Sequence, residues 1–273
     1  TRQQQQDERH KTEDTRQESQ ISDERLKKAA DLLLSMQNSG GGWASYELTR
    51  APEWIELLNP SEVFGNIMVD YSYTECSSAC IQSLAEFKRN FPDYRKTEIE
   101  QSLRRGIQYI LSQQRQDGSW YGSWAVCFTY GTWFAIEALM TIDSKQRTTE
   151  IQTAIAKAAD FLLSKQKEDG GWGESFESCI EKKYTQHPTS QVVNTSWALL
   201  SLMEIEKSAT GHKQQALKTA IEKGIRLIIS RQQPTGDWEQ ESISGVFNHN
   251  CMISYTSYRN VFPIWALGRY LKG

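Results

Sequence analysis

Apolar positions along the chain fall into two alternating helical patterns. Stretches at about 24–36, 97–114, 148–166 and 213–232 are amphipathic; in the first, Leu26, Ala29, Ala30, Leu33 and Met36 form one stripe at helical spacing. Stretches at about 70–90, 124–142, 190–206 and 253–271 are apolar or aromatic on most faces, as in SWAVCFTYGTWFAIEALM and NTSWALLSLM. A helix of the second kind must be enclosed on all sides. Breaks fall at Asn38-Ser39-Gly40-Gly41-Gly42, Asp117-Gly118, Asp169-Gly170-Gly171 and Pro234-Thr235-Gly236. The pattern predicts an all-α protein of four hairpins, each pairing an outer amphipathic helix with an inner apolar one. Two architectures satisfy it, a closed α/α barrel (toroid) and an open α-solenoid. Aromatic residues at the beginnings of the inner stretches would gather at one mouth of a barrel, which favours the barrel. Such barrels commonly have six hairpins, so the ring is expected to be incomplete in this chain.

The breaks carry a repeat. A Gln is followed six residues later by a Trp at Gln37/Trp43, Gln114/Trp120, Gln166/Trp172 and Gln232/Trp238. Eight residues before each Gln stands a small residue (Ala29, Gly106, Ala158, Gly224), itself preceded by Lys28, Arg105, Lys157 or Lys223. Fixed offsets repeated four times define supersecondary units. Gln and Trp here straddle a helix end and a tight turn, so they are expected to be staples: the amide bonding the backbone N–H groups that open the next helix, the indole covering it. Residues 1–23 stand apart. They are rich in Gln and charge with Ile21 as the single aliphatic residue, and are expected to be disordered or a frayed helix. Residues 24–273 are expected to form one domain.

Composition narrows the function by exclusion. A net charge of -3 offers no polyanion footprint, which disfavours nucleic acid as a partner. Five scattered cysteines without CxxC spacing suit reduced thiols better than a disulfide framework. The start of the chain shows no signal-peptide pattern, and no apolar run reaches the roughly 20 residues of a membrane span. No His/Cys/Asp cluster has zinc spacing, so no metal and no cofactor are expected. His187 and His249 read as loop histidines; Trp133, Trp197 and Trp265 read as core. The surplus is in rings: nine Trp, eleven Tyr and nine Phe.

Longer strings make the repeats specific. LNPSEVFGNIMVDYSYTECSSA (58–79), DGSWYGSWAVCFTYGTWF (117–134), QKEDGGWGESFESC (166–179), VVNTSWALL (192–200) and GVFNHNCMISYTSYRNVFPIWALGRY (245–270) resemble the oxidosqualene cyclases of the terpene cyclase/mutase family. The likeness runs from about residue 24 to the end. It is closer to the lanosterol synthase branch than to the bacterial squalene–hopene branch, and the Gln/Trp pairs correspond to that family's QW repeats. The resemblance implies an isomerase that cyclises (S)-2,3-epoxysqualene to lanosterol or a related protosterol. A protonated aspartic acid opens the epoxide, and a carbocation then travels along a dry cavity lined by ring faces.

Individual positions follow from the same resemblance. Cys76 matches the cysteine that hydrogen-bonds the catalytic acid, and Tyr46 a tyrosine beside the cation path. Trp124 matches a tryptophan facing the early cations and Phe247 a phenylalanine stabilising later ones. Cys251 and Tyr255 follow on the Phe247 segment as cavity lining. On composition alone each would be ordinary packing; only the flanking strings raise them above it.

The family's Asp-Cys-Thr-Ala-Glu acid motif is not in the chain. Asp23, the nearest aspartate, lies too close to the first helix and lacks the following residues. The resemblance therefore implies a C-terminal portion, inactive alone, whose partners are an oxidosqualene-type lipid and the family's N-terminal half. Through that half it would meet a membrane surface, at the endoplasmic reticulum or a lipid droplet; an isolated fragment would be cytosolic. Two other classes fit parts of the pattern: a non-catalytic lipid-binding or scaffold barrel, and a protein prenyltransferase β-subunit, which would need zinc ligands.

Overall fold

The computed structural model describes residues 21–247 and 251–273; residues 1–20 and 248–250, with most of the expected polar segment and His249, lie outside that description. Nine α-helices are described: α1 Asp23–Ser35, α2 Thr74–Asn90, α3 Lys96–Ser112, α4 Phe128–Met140, α5 Thr149–Lys165, the short α6 Glu177–Glu181, α7 Val192–Glu206, α8 Gly211–Ser230 and α9 Tyr258–Lys272. Four hairpins result, α1/α2, α3/α4, α5/α7 and α8/α9. The inner helices pack in chain order, α2 on α4, α4 on α7 and α7 on α9, while each outer helix lies on the inner helix of its own hairpin or a neighbour. Burial follows the predicted division: α4 and α7 are buried on nearly every turn, and α3 buries only Ile99, Ser102, Gly106, Ile107 and Ile110.

Three inner helices begin later than their apolar runs. Tyr73 bridges Trp43, Ala125 bridges Gly245, and Gly245–Phe247 (β1) pairs antiparallel with Cys251–Ile253 (β2). Residues in such pairs are held extended, so α2, α4 and α9 start only beyond them. At the other end of the chain Ser22 caps α1 by accepting the Arg25 N–H, which places Asp23 in the first helical turn.

The staples work differently from expectation. Each Gln donates from Nε2 to carbonyls and accepts nothing from helix-opening N–H groups. Gln37 bonds Gly41 O (2.7 Å) and Ser102 O (2.9 Å); Gln114 bonds Gly118 O (3.0 Å) and Ala154 O (2.9 Å); Gln166 bonds Gly170 O (2.8 Å) and Ala220 O (2.9 Å). In these three, one acceptor closes the turn and the other lies on the next outer helix. Among the described residues Gln232 keeps only the first kind of bond, to Gly236 O (3.0 Å).

The indoles are corrected in the same way. Trp43, Trp120, Trp172 and Trp238 are all fully buried, yet none covers a bond between its Gln and a helix-opening N–H, since no such bond exists. Each instead ties its turn back to the outer helix just completed. Trp43 donates its indole N–H to Leu33 O (2.7 Å), Trp120 to Ile110 O (2.7 Å), Trp172 to Leu162 O (2.7 Å) and Trp238 to Ile228 O (2.9 Å), always ten residues upstream. The reason is geometric: the turn arrives along the flanks of outer helices, where carbonyls are the groups presented, and not at an amino end.

The core reading holds for Trp133 and Trp197 but not for Trp265, which is 43% exposed. Trp265 shares an exposed flank of α9 with Val261 and Ile264, a face that no described element covers. His187 is a loop residue, its ring bonded by the Thr189 N–H (3.1 Å) and close to Ser242 Oγ (3.0 Å).

Candidate functional site

The amino ends of the inner helices share one end of the row, and the rings gather there. Glu75, in the first turn of α2, is the organising group. Its Oε1 accepts the N–H of Ser123 (2.5 Å) and of Trp124 (3.0 Å), fixing the segment before α4. Ser244 O accepts the Val126 N–H (2.9 Å), so β1 runs alongside and brings Phe247 to Trp124. The two rings meet edge to face with centroids 5.3 Å apart; Trp124 meets Tyr73 in the same way at 5.5 Å, and Phe64 meets Phe247 at 5.6 Å. Cys251 sits opposite Phe247 in the β1–β2 register. The Tyr255 ring lies over Gly245, where a Cβ would have no room. From Tyr255 the wall continues through Tyr258 (4.8 Å) to Trp197 (6.1 Å), and from Trp197 to Tyr130 (5.0 Å).

Cys76 follows Glu75, its Sγ 3.6 Å from Ser45 Oγ. The neighbouring Tyr46 presents a ring that is 75% exposed; its N–H is held by Asp70 Oδ2 (2.5 Å). Trp124, Phe247, Cys251 and Tyr255 are thus in one connected group, Cys76 borders it through Glu75, and Tyr46 stands at its open edge.

Burial holds several groups at this wall in their protonated forms. Burial pushes the Cys76 thiol up to about 11 and the Cys80 thiol up to about 12. Burial also raises Tyr130 well above the ordinary phenol, and Glu75, Tyr258, Cys76 and Tyr255 raise it further because all are near it. Glu75 is lifted to about 7 by burial, against the opposing pull of the Ser123 and Trp124 N–H groups. Among the described residues its Oε2, like Trp124 Nε1, is buried without a hydrogen-bond partner. Two more carboxylates, the buried Glu174 and the more exposed Glu241, hold inner helices at their amino ends. Glu174 accepts from Phe128 N, Thr129 N and Thr129 Oγ1 (each 2.9 Å), and Glu241 accepts from Val192 N (2.6 Å).

Sequence reasoning passed over Glu75, Tyr73, Tyr130 and Tyr258. The signal for Glu75 was available: it is a carboxylate in the first turn of a helix whose apolar residues are inward. The rings had no such mark, since a core ring and a wall ring look alike in sequence.

A cleft of about 1350 Å³ opens at the other end of the inner helices, between Lys88, Arg104, Met140 and Glu204. It is rimmed by charge and shares no residue with the aromatic wall. Among the described residues no group of His, Cys, Asp and Glu could hold a metal ion, and no helix is long and apolar enough to cross a membrane.

Hairpins with inner and outer helices, stapled by repeated Gln–Trp turns beside an aromatic wall, define a helical-barrel fold. The chain belongs to the squalene–hopene cyclase C-terminal domain family, whose model matches residues 9–272. It is 52% identical over 250 residues to the lanosterol synthase of Mus musculus, covering 92% of this chain and 33% of that protein. It is 56% identical over 251 residues to the cycloartenol synthase of Dictyostelium discoideum, covering 92% and 34%. The chain therefore spans about a third of the length of the curated relatives it matches. The same fold is found in ent-copalyl diphosphate synthase from Streptomyces platensis (TM-score 0.62, 15% identity, 86% of this chain and 37% of that one).

Proposed function

We propose that this chain forms the C-terminal, cation-stabilising wall of an oxidosqualene cyclase, an isomerase of sterol and triterpenoid biosynthesis. The whole enzyme would convert (S)-2,3-epoxysqualene to lanosterol or a related protosterol. The observation that carries the reading is the joined group of Trp124, Phe247 and Tyr73, anchored by Glu75 beside Cys76. Ring faces stabilise a carbocation without trapping it, each worth about 2 kcal/mol or more when desolvated. The raised thiols and phenols remain protonated at neutral pH, so none of these stands beside the cation as a thiolate or phenolate.

In this assignment Trp124 would face the early cations and Phe247 the later ones, with Cys251 and Tyr255 in the same wall. Cys76 would donate its S–H to the acid that starts the reaction, and Tyr46, at the open edge, would lie beside the path where that acid's part of the enzyme closes over it. The acid itself is supplied from outside residues 1–273, by an N-terminal portion. Membrane or lipid-droplet association, suited to so insoluble a substrate, would come through that portion too.

The test is reconstitution. The chain is mixed with the separately expressed part of mouse lanosterol synthase that precedes the matched region, epoxysqualene is added, and the products are read by gas chromatography and mass spectrometry. Cyclised product is expected only from the mixture. Trp124→Ala should lower its rate about 30-fold, the equivalent of one desolvated cation–π contact. Lipid binding without turnover in any mixture would instead mark a non-catalytic barrel.

A further inference from the structure

Two thiols meet at the base of the segment that carries Trp124. Cys127 is the residue just before α4 and Cys179 lies in α6; both are free and fully buried. Three ties hold their segments face to face. The Tyr121 hydroxyl donates to Cys179 O (2.8 Å), and the Cys127 thiol donates to Gly122 O (3.6 Å). Arg115 crosses the same seam, its guanidinium 5.1 Å from the Phe128 ring centroid and donating to Lys182 O (2.9 Å). Between these ties the Cys127 and Cys179 side chains are in hydrogen-bonding contact with each other.

Cys76 and Cys80, the two cysteines nearest in sequence, are not equivalent to this pair. They stand one turn apart on α2, where Cβ atoms are about 5–6 Å apart. A disulfide needs Cβ atoms about 3.5–4.5 Å apart, which one helical turn does not give. Burial raises the Cys127 thiol well above the ordinary range, and Cys179 and then Glu174 raise it further, so the closed seam is slow to react. The part able to open is α6. It has five residues, buries only Ser178 and Cys179, and ends at Lys182 in left-handed backbone (φ 52°). So short a helix is held by packing alone and opens more readily than the long helices around it.

We infer that Cys127 and Cys179 form an oxidisable pair, closed into a disulfide by a peroxide as α6 opens, and that the bond locks α6 to the base of α4. The steps balance. One sulfur takes an oxygen from the peroxide and becomes a sulfenic acid, releasing one water; the other thiol attacks that sulfur, loses its proton, and the hydroxide leaves as a second water. Two thiols are oxidised and one peroxide is reduced, and a dithiol reductant reverses the bond by exchange. The closed loop is about 50 residues long, so the bond removes freedom chiefly from the unfolded chain. Glu75 already holds the Ser123 and Trp124 N–H groups, and the bond adds a covalent anchor beyond them. Nothing in the pairing depends on the reaction that the whole enzyme catalyses.

The full chain is held in native buffer with excess hydrogen peroxide, then unfolded in iodoacetamide and digested without reduction. Peptide mass spectrometry should show Cys127 joined to Cys179 within one chain, and two of the five free thiols should be lost. The melting temperature, read by circular dichroism, should rise on the order of 5–15 °C, as expected for a loop of this length, and dithiothreitol should restore the starting value. Urea below the unfolding transition should speed the bridging, because α6 opens there first. Cys127→Ser and Cys179→Ser should each abolish the cross-link and the rise, whereas Cys80→Ser should change neither.

Bridges scattered among the five cysteines, or thiols that pass only to sulfinic and sulfonic acids, overturn the inference. So does a chain that keeps all its thiols under peroxide while hydrogen exchange shows residues 177–181 opening. A Cys127–Cys179 bridge with no change in melting temperature overturns the lock. Each of these is read on the native chain, so none requires a variant to fold.

Discussion

Removing one indole from an internal joint should unseat two hairpins at once, and Trp172 shows how much that costs. Its side chain is fully buried, its N–H donates to Leu162 O at 2.7 Å, and its ring edge lies on Gly224 of α8. Trp172→Ala should therefore cost about 3–5 kcal/mol, the range for a buried tryptophan whose cavity cannot collapse. For a chain of this length that lowers the melting temperature by roughly 6–20 °C, at about 2–4 °C per kcal/mol.

A second substitution tests the contact itself. Gly224→Ala gains about 1 kcal/mol of helix propensity. Its Cβ, however, would stand 3.1 Å from Trp172 Cζ3 and 2.9 Å from Leu199 Cδ2, and crowding of that kind costs about 1–3 kcal/mol. In the native background the change should be neutral to destabilising. In the Trp172→Ala background only the flexible Leu199 remains in the way, so the same change should become neutral or stabilising. Urea denaturation of the four proteins gives the cycle, with a coupling of about 1–2 kcal/mol expected. Additivity within about 0.5 kcal/mol, or a Trp172→Ala cost below about 2 kcal/mol, would refute the staple geometry.

Three further outcomes are expected. Glu75 titrates near 7 when folded and near 4.5 otherwise, so the folded state alone keeps its proton between those values. Its stabilisation is complete below pH 4.5 and fades as pH rises through 7, an upper bound of about 3 kcal/mol. Glu75→Gln should flatten the fall in urea stability between pH 5 and 8 relative to the native chain, and an unchanged slope would contradict the assignment. Arg269 joins α9 to the inner row through Glu137 (2.5 Å), Glu204 (3.2 Å) and Leu200 O (3.0 Å). Arg269→Met strands two mostly buried carboxylates and should cost about 3 kcal/mol by urea denaturation; a loss under 1 kcal/mol would show the pair to be solvated. Finally, the thiolate fraction of Cys76 at pH 8 is about 100-fold below that of an ordinary thiol, so alkylation should be slower by at least that factor. Peptide mapping that finds Cys76 labelled at the rate of a free thiol would remove it from the buried wall.

The eight long helices, their pairing into hairpins and the inner-versus-outer division were written in the chain, because burial on one side or on all sides leaves a periodic trace; the short α6 was not. The Gln–Gly–Trp offsets announced the joints for the same reason: a repeated contact demands repeated spacing. Family membership was legible from strings such as DGSWYGSWAVCFTYGTWF. What the pattern did not contain was direction. Four glutamines at fixed spacing say that something is bonded, but the acceptors are carbonyls, which only the approach angle of the turn could decide. Trp120 and Trp238 stand at the same offset from their glutamines, yet Gln114 bonds a following outer helix and, among the described residues, Gln232 bonds only its own turn. Trp265 carried the same local signature as Trp133 and differs in that no described element covers its flank of α9. Glu75 became the anchor of the aromatic wall only when folding placed the 123–124 backbone against it, some 48 residues away in the chain. Local periodicity thus determined which elements form and which faces they bury. The partners of each buried polar group, and the convergence of Trp124, Phe247 and Tyr255, depended on contacts between distant segments that no local pattern encodes.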